Sequence, residues 1–434
     1  MRYFADLHVH SRYSRATSPE MTPEGLWRWA QIKGIKVMGT GDFTHPGWLA
    51  ELREKLEPAE DGLFRLKKQY RSGAVPASCE GEVFFVLQAE ISSIYSKGGR
   101  TRKVHSVVLA PGFKEAEAIN GRLASVGNLS SDGRPILGLD AKRLLEMVLE
   151  SSEDAMLIPA HAWTPHFSVF GAASGFDSLE ECFEDLAPHI HAIETGLSSD
   201  PPMNRRLSAL DGLALLSNSD AHSPRKLGRE ANIFEAGVSY PAMARAIRTR
   251  VGLAGTVEFF PEEGKYHYDG HRACGVCLPP EDTVRLGLLC PACGRRLTVG
   301  VMHRVERLAD RKAPQKETYV SAVPLAEIIS EVIGKGVNTR AVENAYFGVI
   351  ERLGGELSVL LEAPLKDVAR AGGERLGEAL SRARSGRVNV SPGFDGVYGK
   401  ISIFGGKPSP RGPSGGRPSR GASPASRKPV GKLF

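Results

Sequence analysis

Side chains able to hold metal ions recur along the first half of the chain in a fixed relation to short apolar runs. Asp6, His8 and His10 close the first run, Asp42 and His45 follow the second, and Glu90 follows the third. His161, Glu194 and the pair Asp220 and His222 stand at the ends of the fifth, sixth and seventh. His8 and His10 are separated by one residue, so on an extended chain both point the same way, and Asp220 and His222 repeat that arrangement. A lone His or Asp at a strand end is commonly a capping or hydrogen-bonded residue. About nine coincident placements point instead to a multinuclear metal site. Cations bridged by a carboxylate lower the pKa of a shared water and neutralise charge on a phosphoryl oxygen, which is the chemistry of phosphate-ester hydrolysis. No Ser or Cys nucleophile is required. Ligands rich in His favour zinc or manganese over magnesium. Asp6 is read as a partner orienting a histidine, and Glu194 as either a ligand or such a partner.

These side chains need strands to carry them. Apolar runs of strand length lie at residues 3–7, 35–38, 83–88, 104–109, 156–159, 190–193 and 213–216, with helical patterns between most of them. The clearest helices span 22–33, which opens on Thr22 and Pro23, then 141–150 and 240–250. The pattern predicts an α/β barrel of about seven strands, in which the carboxyl ends of parallel strands share one face and bring the ligands together. His105 sits near the start of the fourth run, not its end. Residues 91–103 are too short and too rich in Gly and Lys for a crossover helix, so this run is expected to return antiparallel to the third, beside Glu90.

The chain has 434 residues, enough for two or three domains. No apolar stretch is long enough for a membrane span and the N-terminus shows no signal peptide, so a protein of the cytoplasm without a membrane partner is expected. Cys274, Cys277, Cys290 and Cys293 form two C-x2-C pairs, the spacing of a structural four-cysteine zinc ribbon, and Cys79 and Cys182 stand alone. Arg295, Arg296, Arg304, Arg307, Arg311 and Lys312 follow the last pair, which suits a polyanionic substrate or a solvated charged face. Helical patterns then fill 325–383, and Asp395-Gly396 between β-prone stretches signals a hairpin closing the ordered chain near Phe404. Residues 405–434 carry seven Lys or Arg and no acid among 18 Gly, Pro and Ser, and are read as disordered.

The barrel motifs resemble those of the Polymerase and Histidinol Phosphatase (PHP) superfamily. They are Asp6-Leu7-His8-Val9-His10, Gly41-Asp42, Ala89-Glu90, His105, His161 and Ser219-Asp220-Ala221-His222. The resemblance implies a distorted (β/α)7 barrel with two or three zinc, manganese or iron ions. It implies one metal on His8, His10, Glu90 and Asp220, a second on Glu90, His105 and His161, and a third involving His222 and the Asp42 region. Many members carry His after that aspartate. Here the residue is Phe43, so Asp42 or His45 must substitute.

With the ribbon, the helical unit, the segment 39–46 and the turn 392–399, the sequence is similar over 1–404 to one branch of that superfamily, endonuclease Q. The implied organisation is a PHP barrel over 1–255, a four-cysteine zinc domain over 256–312, a helical DNA-binding domain with a terminal hairpin over 313–404, and the tail. The implied activity is hydrolysis of the phosphodiester on the 5′ side of uracil, hypoxanthine, xanthine and abasic sites in DNA at the nucleoid. Barrel zinc or manganese would serve it, with magnesium able to support activity, and Glu90, Asp220, His8 and His10 at the catalytic centre. Arg12 and Arg15 are candidates to bind flanking phosphates, and Trp163, His166 and Phe167 to stack a nucleobase. For each, the plainer alternative is surface charge or a satellite apolar cluster. Leu433-Phe434 on the basic tail resembles a degenerate sliding-clamp peptide. The barrel alone would also suit a small-molecule phosphatase acting on histidinol phosphate or a nucleotide.

Overall fold

The structure, a computed structural model, describes residues 1–405; the basic segment 406–434, with the clamp-like terminus, lies outside the described residues. The first 258 residues form a mixed α/β body. Its strands are β1 (Arg2–Asp6), β2 (Val37–Gly39), β3 (Leu56–Pro58), β4 (Phe64–Leu66), β5 (Phe84–Lys97), β6 (Arg100–Ala110) and β7 (Ile136–Leu137). They continue with β8 (Met156–Pro159), β9 (Ala192–Glu194), β10 (Ala214–Leu216), β11 (Ala231–Glu235) and β12 (Leu253–Glu258).

All seven apolar runs contribute strands. β1, β2 and β5 pair in parallel, β9 and β10 pair in parallel, and β5 and β6 are antiparallel over eleven residue pairs from Leu87↔Ala110 to Lys97↔Arg100. The antiparallel return is therefore present, but as one long two-stranded ribbon rather than a loop between short strands. Glu90 faces Val107 in that register, two pairs from the Ser92↔His105 pair. β11 extends the sheet beyond β1, antiparallel to it, and β12 follows antiparallel to β11. Their sequences, Ala-Asn-Ile-Phe-Glu and Leu-Ala-Gly-Thr-Val-Glu, interrupt apolar residues with polar ones and glycine, which is why an apolar-run count of seven omits them. β8 lies beside β9 and β10 beside β12, so the strands follow a closed circuit.

Each expected helix forms with a local cause. Thr22 accepts from the Gly25 amide to cap Pro23–Lys33, Asp140 accepts from the Lys142 amide to cap Ala141–Ser151, and Ser239 accepts from the Ala242 amide to cap Tyr240–Thr249. No helix among the described residues is long and apolar enough to cross a membrane.

Beyond β12, β13 (Asp269–His271) and β14 (Val276–Leu278) form a small antiparallel ribbon. Five helices, Leu325–Ile333, Arg340–Leu353, Glu356–Leu361, Leu365–Gly372 and Glu374–Arg384, form the C-terminal helical region. Asp395 and Gly396 both take positive φ between Phe394 and Val397, whose backbones exchange two hydrogen bonds, and the flanking strands Asn389–Ser391 and Lys400–Ser402 pair antiparallel. Glu331 accepts from the amides of Ile403 and Phe404 and from the Ser402 hydroxyl, fastening the hairpin to the helices.

One buried ion pair ties the helical region to the first body. Lys33, at the end of the first helix, donates to Glu356, which also accepts from Tyr346 Oη (2.7 Å) and the Leu325 amide (2.9 Å). Lys33 is 5% exposed and Glu356 3%. Removing one partner leaves the other charge buried, a loss of about 3–5 kcal/mol. Glu356→Ala is therefore expected to lower unfolding free energy by about that amount in chemical denaturation. A change below about 0.5 kcal/mol would remove this pair as the anchor.

Candidate metal centre

At one end of β1 the chain continues extended, and His8 and His10 bury completely against Glu90 from β5 and Asp220 from the turn after β10. His10 Nε2 lies 3.2 Å from Glu90 Oε2 and 3.1 Å from Asp220 Oδ1, and His8 Nε2 lies 3.6 and 3.8 Å from the same two atoms. Across the same carboxylate, Glu90 Oε1 is 2.7 Å from His105 Nδ1 and 3.1 Å from His161 Nε2. Glu90 thus belongs to two ligand groups, His8/His10/Glu90/Asp220 and Glu90/His105/His161.

The far sides of the histidines are fixed. His8 Nδ1–H donates to Glu194 at 3.0 Å and His10 Nδ1–H to Asp42 at 3.0 Å. Thr164 donates its hydroxyl to the His166 carbonyl, so it is placed to accept from His161 Nδ1–H at 3.1 Å. In each case the lone pair of Nε2 is left facing the carboxylates, the tautomer a metal requires. Among the described residues, His8 Nε2, His10 Nε2 and Asp220 Oδ1 are buried without any hydrogen-bond partner. Polar atoms so placed are costly unless a cation lies between them, and the donor set therefore fits metal ions.

The surrounding carboxylates favour positive charge at this site. Burial pushes His8 and His10 down, but the carboxylates of Glu194 and Glu90 around His8, and of Asp42, Asp220 and Glu90 around His10, outweigh it and raise both. Burial would raise Glu90, yet His105, His8 and His10 hold it well below the usual carboxylate range. These are groups arranged to share positive charge. Asp42, His161 and Asp220 also have positive φ, at 47°, 29° and 47°, a strained region for non-glycine residues that marks backbone held by its surroundings.

The other candidates fall elsewhere. Asp42 is fully engaged, accepting from His10, the Ser11 amide and hydroxyl (both 2.6 Å) and the Ser14 hydroxyl (2.9 Å). His45 caps the next helix through Nδ1, with Nε2 3.2 Å from the Ser130 carbonyl. The His222 ring lies 4.5 Å from that of His10, tilted 44° to it, at the edge of the site. Asp6 binds the Ser219 and Gly228 amides and so positions the Asp220 turn rather than a histidine. Glu194 bonds His8 Nδ1, the His161 amide and Asn218. Arg12 pairs with Glu51 at 2.9 Å, and Arg15 is exposed. Trp163 is buried, donating to Asn204 and packing on Phe170, whereas His166 is exposed and Phe167 lies 4.7 Å from His105.

Two contributors carried no sequence signal. Thr164 is an ordinary loop threonine, and Arg134 reaches Glu90 Oε2 at 3.0 Å from a loop distant in sequence.

The second cluster differs from the four-cysteine expectation. His271, Cys274, Cys290 and Cys293 converge, while Cys277, in β14, has its Sγ 4.0 Å from the Pro392 carbonyl. The physical reason is local. His271-x2-Cys274-Gly275 and Cys290-x2-Cys293-Gly294 are matching knuckles, each ending on a glycine in the left-handed region, at φ 65° and 71°. Cys277 lies past the first knuckle and inside a strand, where it pairs with Gly270. Contacts with Arg295 lower the Cys293 thiol to about 6, and Cys293 and Cys290 push Cys274 up to about 11.

Comparison with known proteins follows the same lines. A sequence profile of the MJ0043 C-terminal domain matches residues 324–387, the helical region. MJ0043 of Methanocaldococcus jannaschii is 34% identical over 254 residues, 56% of this chain but only 31% of that protein, so the chain spans less than a third of it. YqxK of Bacillus subtilis is 28% identical over 92% of this chain and 99% of its own. The crystal structure of the lesion-specific endonuclease PfuEndoQ from Pyrococcus furiosus superposes with a TM-score of 0.81 at 33% identity, covering 93% of this chain and 96% of that one. The chain belongs to the endonuclease Q family. A further endonuclease Q structure, in complex with a 27-mer duplex bearing an abasic lesion at its active site, matches at 33% identity and a TM-score of 0.78, covering 93% and 97%.

The knuckle pairing is tested by metal analysis of purified variants. His271→Ala is expected to lose one metal ion per chain, and Cys277→Ser to keep it; the reverse result would restore the four-cysteine set.

Proposed function

We propose that this protein is a metal-dependent DNA repair endonuclease that hydrolyses the phosphodiester 5′ of deaminated bases and abasic sites. The observation that carries this reading is the pair of buried ligand groups sharing Glu90, set in a chain that matches endonuclease Q over 93% of its length. The barrel is read as a distorted seven-stranded PHP barrel over 1–255. The module over 256–312 is read as a structural zinc site and the region 313–404 as the DNA-binding unit.

Metal ions held by His8, His10, Glu90, Asp220, His105 and His161 would supply Lewis acidity and water activation at neutral pH. Zinc or manganese suits these ligands. The chain itself supplies orientation: Glu194, Asp42 and Thr164 fix the imidazole rings, and the strained turns at His161 and Asp220 present their side chains. His8, His10 and Glu90 are wholly buried, which strengthens each charge interaction among them.

Beside the centre, a cavity of about 670 Å3 runs between the loop holding Thr164 and His166, the segment with Phe259 and Tyr266, and Tyr398 of the terminal hairpin. Its position at the meeting of all three parts suits a damaged nucleotide rotated out of the duplex, an excursion of lower cost where pairing is already weak. DNA is thus read as lying across the mouth, the ribbon and the helical region, in the cytoplasm at the nucleoid. Binding of a sliding clamp through the terminal residues is retained only as a proposal, since they lie outside the described residues.

Labelled duplexes containing uracil, hypoxanthine or an abasic site, with an undamaged control, are expected to be cut immediately 5′ of the lesion with manganese or magnesium and not with EDTA. Intact duplexes in a preparation with verified metals, together with turnover of histidinol phosphate or a nucleotide, would establish the small-ester phosphatase instead. Glu90→Ala should remove the ligand common to both groups and reduce cutting by at least 1,000-fold, on the order of 4 kcal/mol of barrier, while gel-shift binding of the lesion duplex persists. Undiminished cutting would exclude Glu90 from the centre.

A further inference from the structure

Arg134 is a cation placed where metal ions are also expected. Its Nη1 donates to Glu90 Oε2 at 3.0 Å, on the side of that carboxylate facing His8, His10 and Asp220. The guanidinium is partly exposed, at 28%, whereas Glu90 is fully buried. Arg cannot ligate a metal and does not lose its proton, so beside two cations it adds repulsion that Glu90 alone does not offset. An anion entering from the open side would add to the negative charge that Glu90 and Asp220 already place there.

The loop that delivers Arg134 is built for position. The Gly133 amide donates to the Tyr13 carbonyl at 2.9 Å, its carbonyl accepts from Thr44 at 3.3 Å, and Asp132 accepts from the Arg15 and Arg134 amides. A Cβ at Gly133 would fall 2.4 Å from Asp42 Oδ2 and 2.5 Å from Ser14 Oγ, so the loop lies directly on the carboxylate that orients His10. The arginine and the His10 ligand are thereby referenced to the same atoms.

We propose that Arg134 is a catalytic residue that contacts a non-bridging oxygen of the scissile phosphate, its planar fork bridging Glu90 and the substrate. The inference rests on the endonuclease reading and extends it to a specific substrate contact. Arg is suited to this role because one edge of the guanidinium can hold Glu90 while the other donates to phosphate. The charge it neutralises grows at the phosphoryl oxygens as the bond breaks, so its effect should appear mainly in kcat.

The test compares the full chain with Arg134→Ala and Arg134→Lys, using an abasic-site duplex and verifying metal content for each. The expected result for Arg134→Ala is unchanged metal per chain, kcat lowered by about 100- to 1,000-fold, and a slope of log binding constant against log salt smaller in magnitude by about 0.9, the signature of one lost phosphate contact. Arg134→Lys should restore the salt slope and only part of kcat. Loss of metal in Arg134→Ala, an unchanged salt slope, or an unchanged kcat would each overturn the proposal, the first by showing that Arg134 only supports the ligand set. A wild-type protein that leaves every lesion intact overturns the endonuclease reading and this contact with it. An active wild type with an equally active Arg134→Ala overturns the contact alone.

Discussion

The Glu90 carboxylate meets His105 and His161 through one oxygen and His8, His10 and Arg134 through the other, with no exposure to water. An unpaired carboxylate buried in this way is prohibitively unfavourable, so its surroundings must carry positive charge, and much of the first body can be understood as supplying it. Glu90 has to sit on a strand with a long antiparallel partner, because only that pairing brings His105 back beside it. His8 and His10 have to leave β1 extended, so that both reach the same carboxylate. Asp220 and His161 arrive from turns with positive φ that relaxed loops would not adopt.

Around this constraint lies a shell of polar residues whose work is orientation. Glu194 serves His8, the His161 backbone and Asn218 together, and Asp42 serves His10, Ser11 and Ser14. Each carboxylate is satisfied by several donors, so neither is free to wander into the centre as a competing ligand. That economy explains why Asp42 stands behind His10 and not in front of the site. It also couples the centre to its loops: the Asp42 carboxylate lies against Gly133, and Gly133 precedes Arg134.

Several connections attach the parts beyond the first body, among them residues 319–321, which pair in parallel with β12. Lys33 and Glu356 hold the helical region, Arg304 donates to the carbonyls of Phe170 and Phe176 in the loop after His161, and Glu331 holds the terminal hairpin. The cavity at Thr164 and His166 is lined as well by residues of the 259–267 segment, by Glu327 of the helical region and by Tyr398. That cavity is in this sense a product of several parts of the chain, while the two ligand groups that share Glu90 come from the first body alone.

The amino-acid sequence by itself determined the seven apolar runs, the helix caps, the Asp-Gly turn and the types of the ligands, because each depends on neighbours within a few residues. The period of two along a strand was enough to put His8 beside His10, and the short Gly/Lys-rich connection was enough to return His105 toward Glu90. Tertiary structure alone decided which polar residues touch the centre and which hold others in place. Asp42, Asp6 and Glu194 are all acids near strand ends, and only the packing around each separates the two that orient histidines from the one that anchors backbone amides. Arg134 and Thr164 have no local pattern, since their roles come from loops that long-range packing folds onto the site. The same holds at the ribbon, where spacing favoured four cysteines but the turn geometry at Gly275 and Gly294 gathers His271 in place of Cys277.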